Sequence, residues 1–126
     1  MPRMKPQPET RSRPRPSPAI LCYITCKDRQ QARRIGLALL QERLAACFNL
    51  LGAVQSSYWW QGAICHAREV VLIAKTRRTL LPRLTRRVIS LHSYEVPCVV
   101  ALPILGGHAP YLSWLEAETR PGSGDG

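Results

Sequence analysis

Apolar positions along this chain change period several times, and the changes mark out its elements. AILCYIT, residues 19–25, is short, continuously apolar and rich in β-branched and aromatic side chains, which predicts a buried strand. The period then lengthens. Ala32, Ile35 and Leu39 fall at i, i+3 and i+7 and predict one stripe of a helix that runs to about Leu44. Asp28 is placed to cap that helix, with Gln31 three residues on to complete a capping box. Arg29, Arg33 and Arg34 take its outer side.

From Ala45 to Trp60 the chain reads as extended, and Gln61-Gly62 is a turn candidate. Ile64 to Thr76 reads as a returning strand whose buried half is EVVLIAKT, so the two segments predict a hairpin. Thr79 is placed to cap a second helix, with Pro82 in the first turn, where a missing N–H is harmless. Leu81, Leu84, Val88 and Leu91 give that helix its stripe. A last strand is predicted from Val96 to Ile104, starting at Pro97, and a short helix from Pro110 through Trp114 and Leu115. The order is β-α-β-β-α-β with a trailing helix, the α+β plan called ferredoxin-like: an antiparallel sheet with two helices on one face.

The predicted hairpin arms are roughly two and a half times the usual strand length of about 5–6 residues, so they must project past a small sheet. Tyr58, Trp59 and Trp60 lie at the tip. An isolated two-stranded ribbon is marginal in water, and an exposed aromatic patch marks an interface, so the pattern predicts an oligomer. The competing arrangement folds these aromatics back onto the chain's own last helix near Trp114.

Composition adds boundaries. Residues 1–18 hold six prolines, five basic residues and one glutamate, with little to bury, and are expected to be a disordered leader. Residues 19–119 then form one domain, and 120–126 a flexible tail. The net charge is +10, of which the leader supplies +4. That excess suits an acidic partner in general. A nucleic-acid partner is not expected, because the paired aromatics of an RNA-recognition sheet are absent: Tyr23 is alone in the first strand. No run is long enough to span a bilayer, so no membrane association is expected. The five cysteines form no C-x-x-C pair, which predicts free thiols in a reducing compartment, the cytoplasm.

Candidate chemistry gathers in LHSYEVPCVVALPI, residues 91–104. His92 ends the second helix, where the macrodipole favours it structurally. As neutral imidazole it is also a candidate metal ligand, with Cys98 as a second, softer one, and that pair would suit copper or zinc. Cys98 as a nucleophile lacks a third group to orient a base, so no enzyme is expected. Cys65 and His66 adjoin in a strand and point to opposite sides. Lys75 ends an apolar run and needs a partner, for which Glu95 is the candidate.

Five blocks carry a resemblance: ERLAACFNLL (42–51), SYWWQGAI (57–64), EVVLIAKT (69–76), HSYEVPCVVALPI (92–104) and YLSWL (111–115). In this order they resemble the CutA family of divalent cation tolerance proteins, over essentially all of residues 19–119. The family's Y-x-W-E-G-K-I block appears as Tyr58 and Trp60 to Ile64, with Gln61 and Ala63 replacing its glutamate and lysine. Its H-P-Y-E-V-P-E block appears as His92 to Cys98, with Ser93 and Cys98 as the departures. The resemblance implies a ferredoxin-like subunit, a homotrimer built through its hairpins, and a non-enzymatic role in the response to metal ions. It also implies an intersubunit cleft bordered by Tyr58, Trp60, Lys75, His92, Tyr94 and Glu95. The copper ligands of such proteins correspond here to Ile24, Leu91 and His92, so one survives. The expectation is weak binding of copper or another divalent cation at His92 and Cys98, with no cofactor required. The alternative is a PII-like signalling or adaptor trimer that binds a small molecule or protein in the same clefts.

Overall fold

A computed structural model describes residues 18–120. All but the last residue of the expected leader and all but the first residue of the expected tail lie outside them. Strand β1 (Ala19–Cys26) leads to helix α1 (Arg29–Gln41), then to the hairpin β2 (Cys47–Trp60) and β3 (Ala63–Arg77). A 3-10 turn (Arg78–Leu80) opens helix α2 (Leu81–Leu91), which is followed by β4 (Val99–Pro103) and helix α3 (Ala109–Glu118). The sheet is antiparallel throughout, in the order β2-β3-β1-β4. This is the α+β, ferredoxin-like arrangement.

Helix α1 starts where Asp28, in extended conformation, accepts a 2.8 Å hydrogen bond on Oδ1 from the Gln31 amide. Gln31 Oε1 reaches back to the Lys27 amide at 3.0 Å, one residue earlier than a capping box requires. The helix stops at Gln41 rather than near Leu44, because Arg43 takes a left-handed φ of 60°. The Arg43 amide then donates to Leu40 O and the Leu44 amide to Leu39 O. That is a Schellman end, which satisfies carbonyls the helix leaves open and folds Leu44 onto Leu39 in the core. Thr79 does not cap α2. It lies inside the 3-10 turn, where its hydroxyl accepts from Arg77 Nη1, and Pro82 occupies the first turn as expected.

Register divides the sheet into two faces. Ile20, Cys22, Ile24 and Cys26 of β1 pair with Thr76, Ala74, Leu72 and Val70 of β3. These residues, apart from Thr76, form the core cluster with Ala32, Ile35 and Leu39 of α1 and Leu84 and Val88 of α2. The two helices therefore share one face. The second face carries Leu21, Tyr23, Thr25, Val71, Ile73 and Lys75, together with Val100 and Leu102 of β4. Helix α3 packs on this second face at the Lys75 end, with Leu115 fully buried. Leu51, Val100 and Leu102 on the same face stay about half exposed.

Beyond Val70, β3 has no partner among the described residues but β2, so residues 54–60 and 63–69 project as a two-stranded ribbon. Seven residues at about 3.3 Å each carry it roughly 23 Å beyond the four-stranded sheet. Gln61 and Gly62 close it with φ of 52° and 83°, the double left-handed pair of a type I′ turn. A bulge at Gly52 shifts the pairing between Leu51 and Ala53. Leu51 opposes Val71 on the second face, yet Ala53 opposes Val70 on the helix face. Alternation past the bulge is thus inverted, and Tyr58 and Trp60 fall on the second face with Glu69 and Ala67. Residues 96–98, expected to be strand, are loop, and β4 begins at Val99. Pro97 has no amide to contribute to a ladder.

Candidate functional site

The segment between α2 and β4 is fastened on three sides. Ser93 Oγ accepts from Gln31 Nε2 at 2.8 Å, and Arg34 Nη2 donates to Leu91 O at 3.1 Å, which ties it to α1. His92 Nε2 lies 2.8 Å from the Thr25 carbonyl, and its Nδ1 lies 3.1 Å from the Tyr94 amide. A carbonyl can only accept and an amide can only donate, so the ring proton sits on Nε2 and both nitrogens are engaged. The His92 and Tyr94 rings lie 4.5 Å apart.

Tyr94 is thereby aimed at the base of the ribbon, where its hydroxyl donates to Glu69 Oε2 at 2.8 Å. Glu69 is only 7% exposed. Burial, with the Glu69 carboxylate beside it, pushes the Tyr94 phenol far above the ordinary tyrosine range. Between the ribbon and this segment opens a cleft of about 500 Å³. Thr25, Ala67 and Glu69 form its floor, Tyr58 and Trp60 its ribbon side, and Tyr94, Glu95, Val96 and Cys98 its loop side. Pairing with Cys65 and Ala63 is what turns the Tyr58 and Trp60 side chains to this side.

Of the residues singled out in the sequence, Tyr58, Trp60, Tyr94, Glu95 and Cys98 line this cleft, while His92 supports its loop from behind. Lys75 is elsewhere. Six strand residues, about 20 Å, separate it from Glu69 along β3. Its Nζ is 3.1 Å from the Tyr111 hydroxyl, with Cys47 Sγ 3.4 Å from the same oxygen. The partner expected for it, Glu95, is replaced by Tyr111, because α3 covers that end of the second face. Sequence reasoning passed over Glu69 as a cleft residue. Its signal was a lone carboxylate opening an apolar strand run, a position where burial demands a donor.

The donors do not amount to a built metal centre. Among the described residues no group of three or more His, Cys, Asp or Glu is gathered to hold an ion. Both His92 nitrogens are committed to backbone. The Cys98 thiol is held above its ordinary pKa first by burial and then by the Glu69 charge, which disfavours the thiolate a metal would need. Burial alone pushes Cys22 up to about 11, and burial with nearby Glu69 pushes Cys26 up to about 12.

Residues 20–118 match the CutA1 divalent ion tolerance protein family. The chain belongs to this family. It is 43% identical over 103 residues to the chloroplastic protein CutA 1 of Oryza sativa subsp. japonica, covering 82% of this chain and 58% of that protein. It therefore spans a little under three fifths of that plant relative. With the divalent-cation tolerance protein CutA of Thermus thermophilus it shares 45% identity over 96 residues, 76% of this chain and 93% of that one. The crystal structure of CutA1 from Oryza sativa superposes with a TM-score of 0.80 at 42% identity, over 84% of this chain and 97% of that one. Among the described residues no helix is long and apolar enough to cross a membrane.

Proposed function

We propose that the chain acts without catalysis, as a homotrimer, in the response to divalent cations, and that its clefts lie where copies meet. The observation that supports assembly is the ribbon beyond Val70. Among the described residues it is paired on neither outer edge, and it carries Tyr58, Trp59, Trp60 and Ile64 exposed between 37% and 72%. A ribbon of that kind is not stable alone and needs a partner surface. Leu51, Val100 and Leu102 extend the apolar surface onto the sheet. The number three comes from the family resemblance.

Copper or another divalent cation binds weakly in this reading, and through Cys98 rather than His92, whose nitrogens hold the loop. No cofactor is required. The five cysteines are all free, which supports residence in the reducing cytoplasm.

Native mass spectrometry of the reduced full chain, with and without Cu(I), tests this. The expected result is a mass near three chains, with copper that survives His92→Ala and disappears in Cys98→Ser. A monomer would undo the assembly argument. Tight copper that vanishes in His92→Ala would show that the imidazole is a ligand and overturn the metal reading.

A further inference from the structure

Like charges crowd one stripe of helix α2. Arg83, Arg86 and Arg87 stand at i, i+3 and i+4, a spacing that brings them to one side of the helix. Cations at that spacing repel one another, and the first turn, where the macrodipole already disfavours positive charge, holds no acidic residue. The N-cap, Leu80, offers no side-chain hydrogen bond either. All three arginines line one groove of about 280 Å³ between α2 and the end of α1, together with Ser90, Glu42 and Leu44. Among the described residues unpaired cations are common, Arg29 and Arg33 included, so the lack of a carboxylate singles out no residue. Convergence does: three guanidiniums share this hollow with a single carboxylate.

The three do not play one part. Arg87 is locked: its Nε lies 3.0 and 2.9 Å from the two Glu42 carboxylate oxygens, its Nη2 lies 2.8 Å from Oε2, and its Nη1 donates to Ser90 Oγ at 3.3 Å. Ser90 in turn donates its own proton to the Arg87 carbonyl at 2.7 Å. Glu42 is thereby spent on Arg87. Among the described residues the guanidinium groups of Arg83 and Arg86 have neither an ion pair nor a hydrogen bond. Three arginines against one glutamate leave the groove with a charge of +2. A phosphate monoester carries about −1.5 to −2 near pH 7 and offers three acceptor oxygens. Guanidinium forks match those oxygens in pairs. A carboxylate would bring about half that charge, and a metal cation would be repelled. The buried Leu44 side chain adds an apolar wall for a few carbon atoms. A groove of this size suits a small ligand rather than a drug-sized one.

We propose that this groove seats the terminal phosphate of a small phosphomonoester, gripped by Arg83 and Arg86 and bounded by the Arg87–Glu42 pair. The groove does not depend on assembly. It belongs to the helix face, on the other side of the sheet from Val100 and Leu102, and α2 begins where β3 ends, at the end of that strand away from the ribbon. Copies that meet through the ribbon and the second face leave it open, so each chain carries one site in monomer and trimer alike. The bound dianion also offsets the repulsion within the arginine stripe.

Isothermal titration calorimetry on the full chain at constant ionic strength tests it, with glycerol 2-phosphate as the probe and dimethyl phosphate, a diester limited to a single negative charge, as the control. The probe is expected to bind saturably, one per chain, and the diester roughly tenfold more weakly or worse. Affinity for the probe is expected to fall roughly tenfold or more in Arg83→Gln and in Arg86→Gln, exposed positions whose substitution leaves the core intact. Arg29→Gln, outside the groove, is expected to leave it unchanged. Binding is also expected to weaken below about pH 6, where the monoester takes up its second proton. No saturable binding, equal affinity for the diester, or unchanged affinity in both groove variants would overturn the proposal. So would an equal loss in Arg29→Gln, which would show attraction by net charge rather than by a site. A phosphoserine peptide that binds far more tightly than glycerol 2-phosphate would assign the groove to a protein partner and overturn the small-molecule reading.

Discussion

Gly36 lies on the buried side of α1, and a methyl group added there would stand 2.8 Å from three ring atoms of Phe48 on β2. Carbon atoms in contact settle at about 3.5–4.0 Å, so Gly36→Ala forces the ring or the helix to give by about 0.7 Å or more. Two effects oppose each other. Alanine in a helix interior is favoured over glycine by roughly 1 kcal/mol. Overpacking a well-filled site costs about 1–3 kcal/mol. Phe48 is half-buried and packs against the core cluster, so its ring is not free to swing into solvent without losing that contact. The net expectation is a loss of up to about 2 kcal/mol. The sharper expectation is a reversal of sign. In a Phe48→Leu background the obstruction is gone, and Gly36→Ala should stabilise by about 1 kcal/mol. Urea denaturation of the four proteins at one fixed chain concentration measures the cycle, with the fixed concentration removing any effect of association. Equal stabilisation by Gly36→Ala in both backgrounds would refute the close approach of α1 to β2.

Two further expectations concern protonation and backbone strain. Because the folded state raises the Tyr94 pKa, the unfolded chain gives up this proton first as pH climbs. The stability contributed by Tyr94 is therefore whole below the unfolded value of about 10 and falls above it, and alkaline denaturation should be shallower in Tyr94→Phe than in the parent. An identical alkaline limb in both proteins would mean that Tyr94 is not held beside Glu69. Arg43, left-handed at the end of α1, also binds Glu118 at 2.6 Å through partly exposed side chains. Such a pair contributes at most about 1 kcal/mol, so Arg43→Gly should be near neutral and Arg43→Ala about 1 kcal/mol worse than glycine. Thermal melts that rank alanine level with glycine would remove the strain argument.

The elements visible in the sequence are those whose burial leaves a period. Ala32, Ile35, Leu39, Leu84 and Val88 are all fully buried, and each was marked by helical spacing alone. The Gln61-Gly62 turn was legible because its backbone demands residues that tolerate positive φ. The end of α1 was not, since arginine at a left-handed position gives no signal that glycine would give. The partner of Lys75 depended on where α3 would lie, which no local pattern encodes. Half of the cleft was readable because Tyr94, Glu95 and Cys98 adjoin in sequence. Glu69 and Thr25 join them only through strand pairing, and Tyr58 and Trp60 were named through the family resemblance, since the break in alternation at Gly52 leaves no mark in the apolar pattern.

That bulge lets the strand absorb a residue without turning its ribbon over. The ribbon has two unlike sides. One shows Tyr58, Trp60 and Ala67, and the other shows Ser57, Trp59, His66 and Arg68, with Ser57 Oγ 2.8 Å from His66 Nδ1. Pairing counted back from the Gln61-Gly62 turn sets Tyr58 against Cys65 and Trp60 against Ala63, and the bulge takes up the odd residue before that register meets the sheet. A strand one residue shorter at Gly52 would make the ladder regular and leave the same aromatic side chains facing the cavity. The wall of the cavity is therefore insulated from a deletion at that glycine and depends on the register set at the turn.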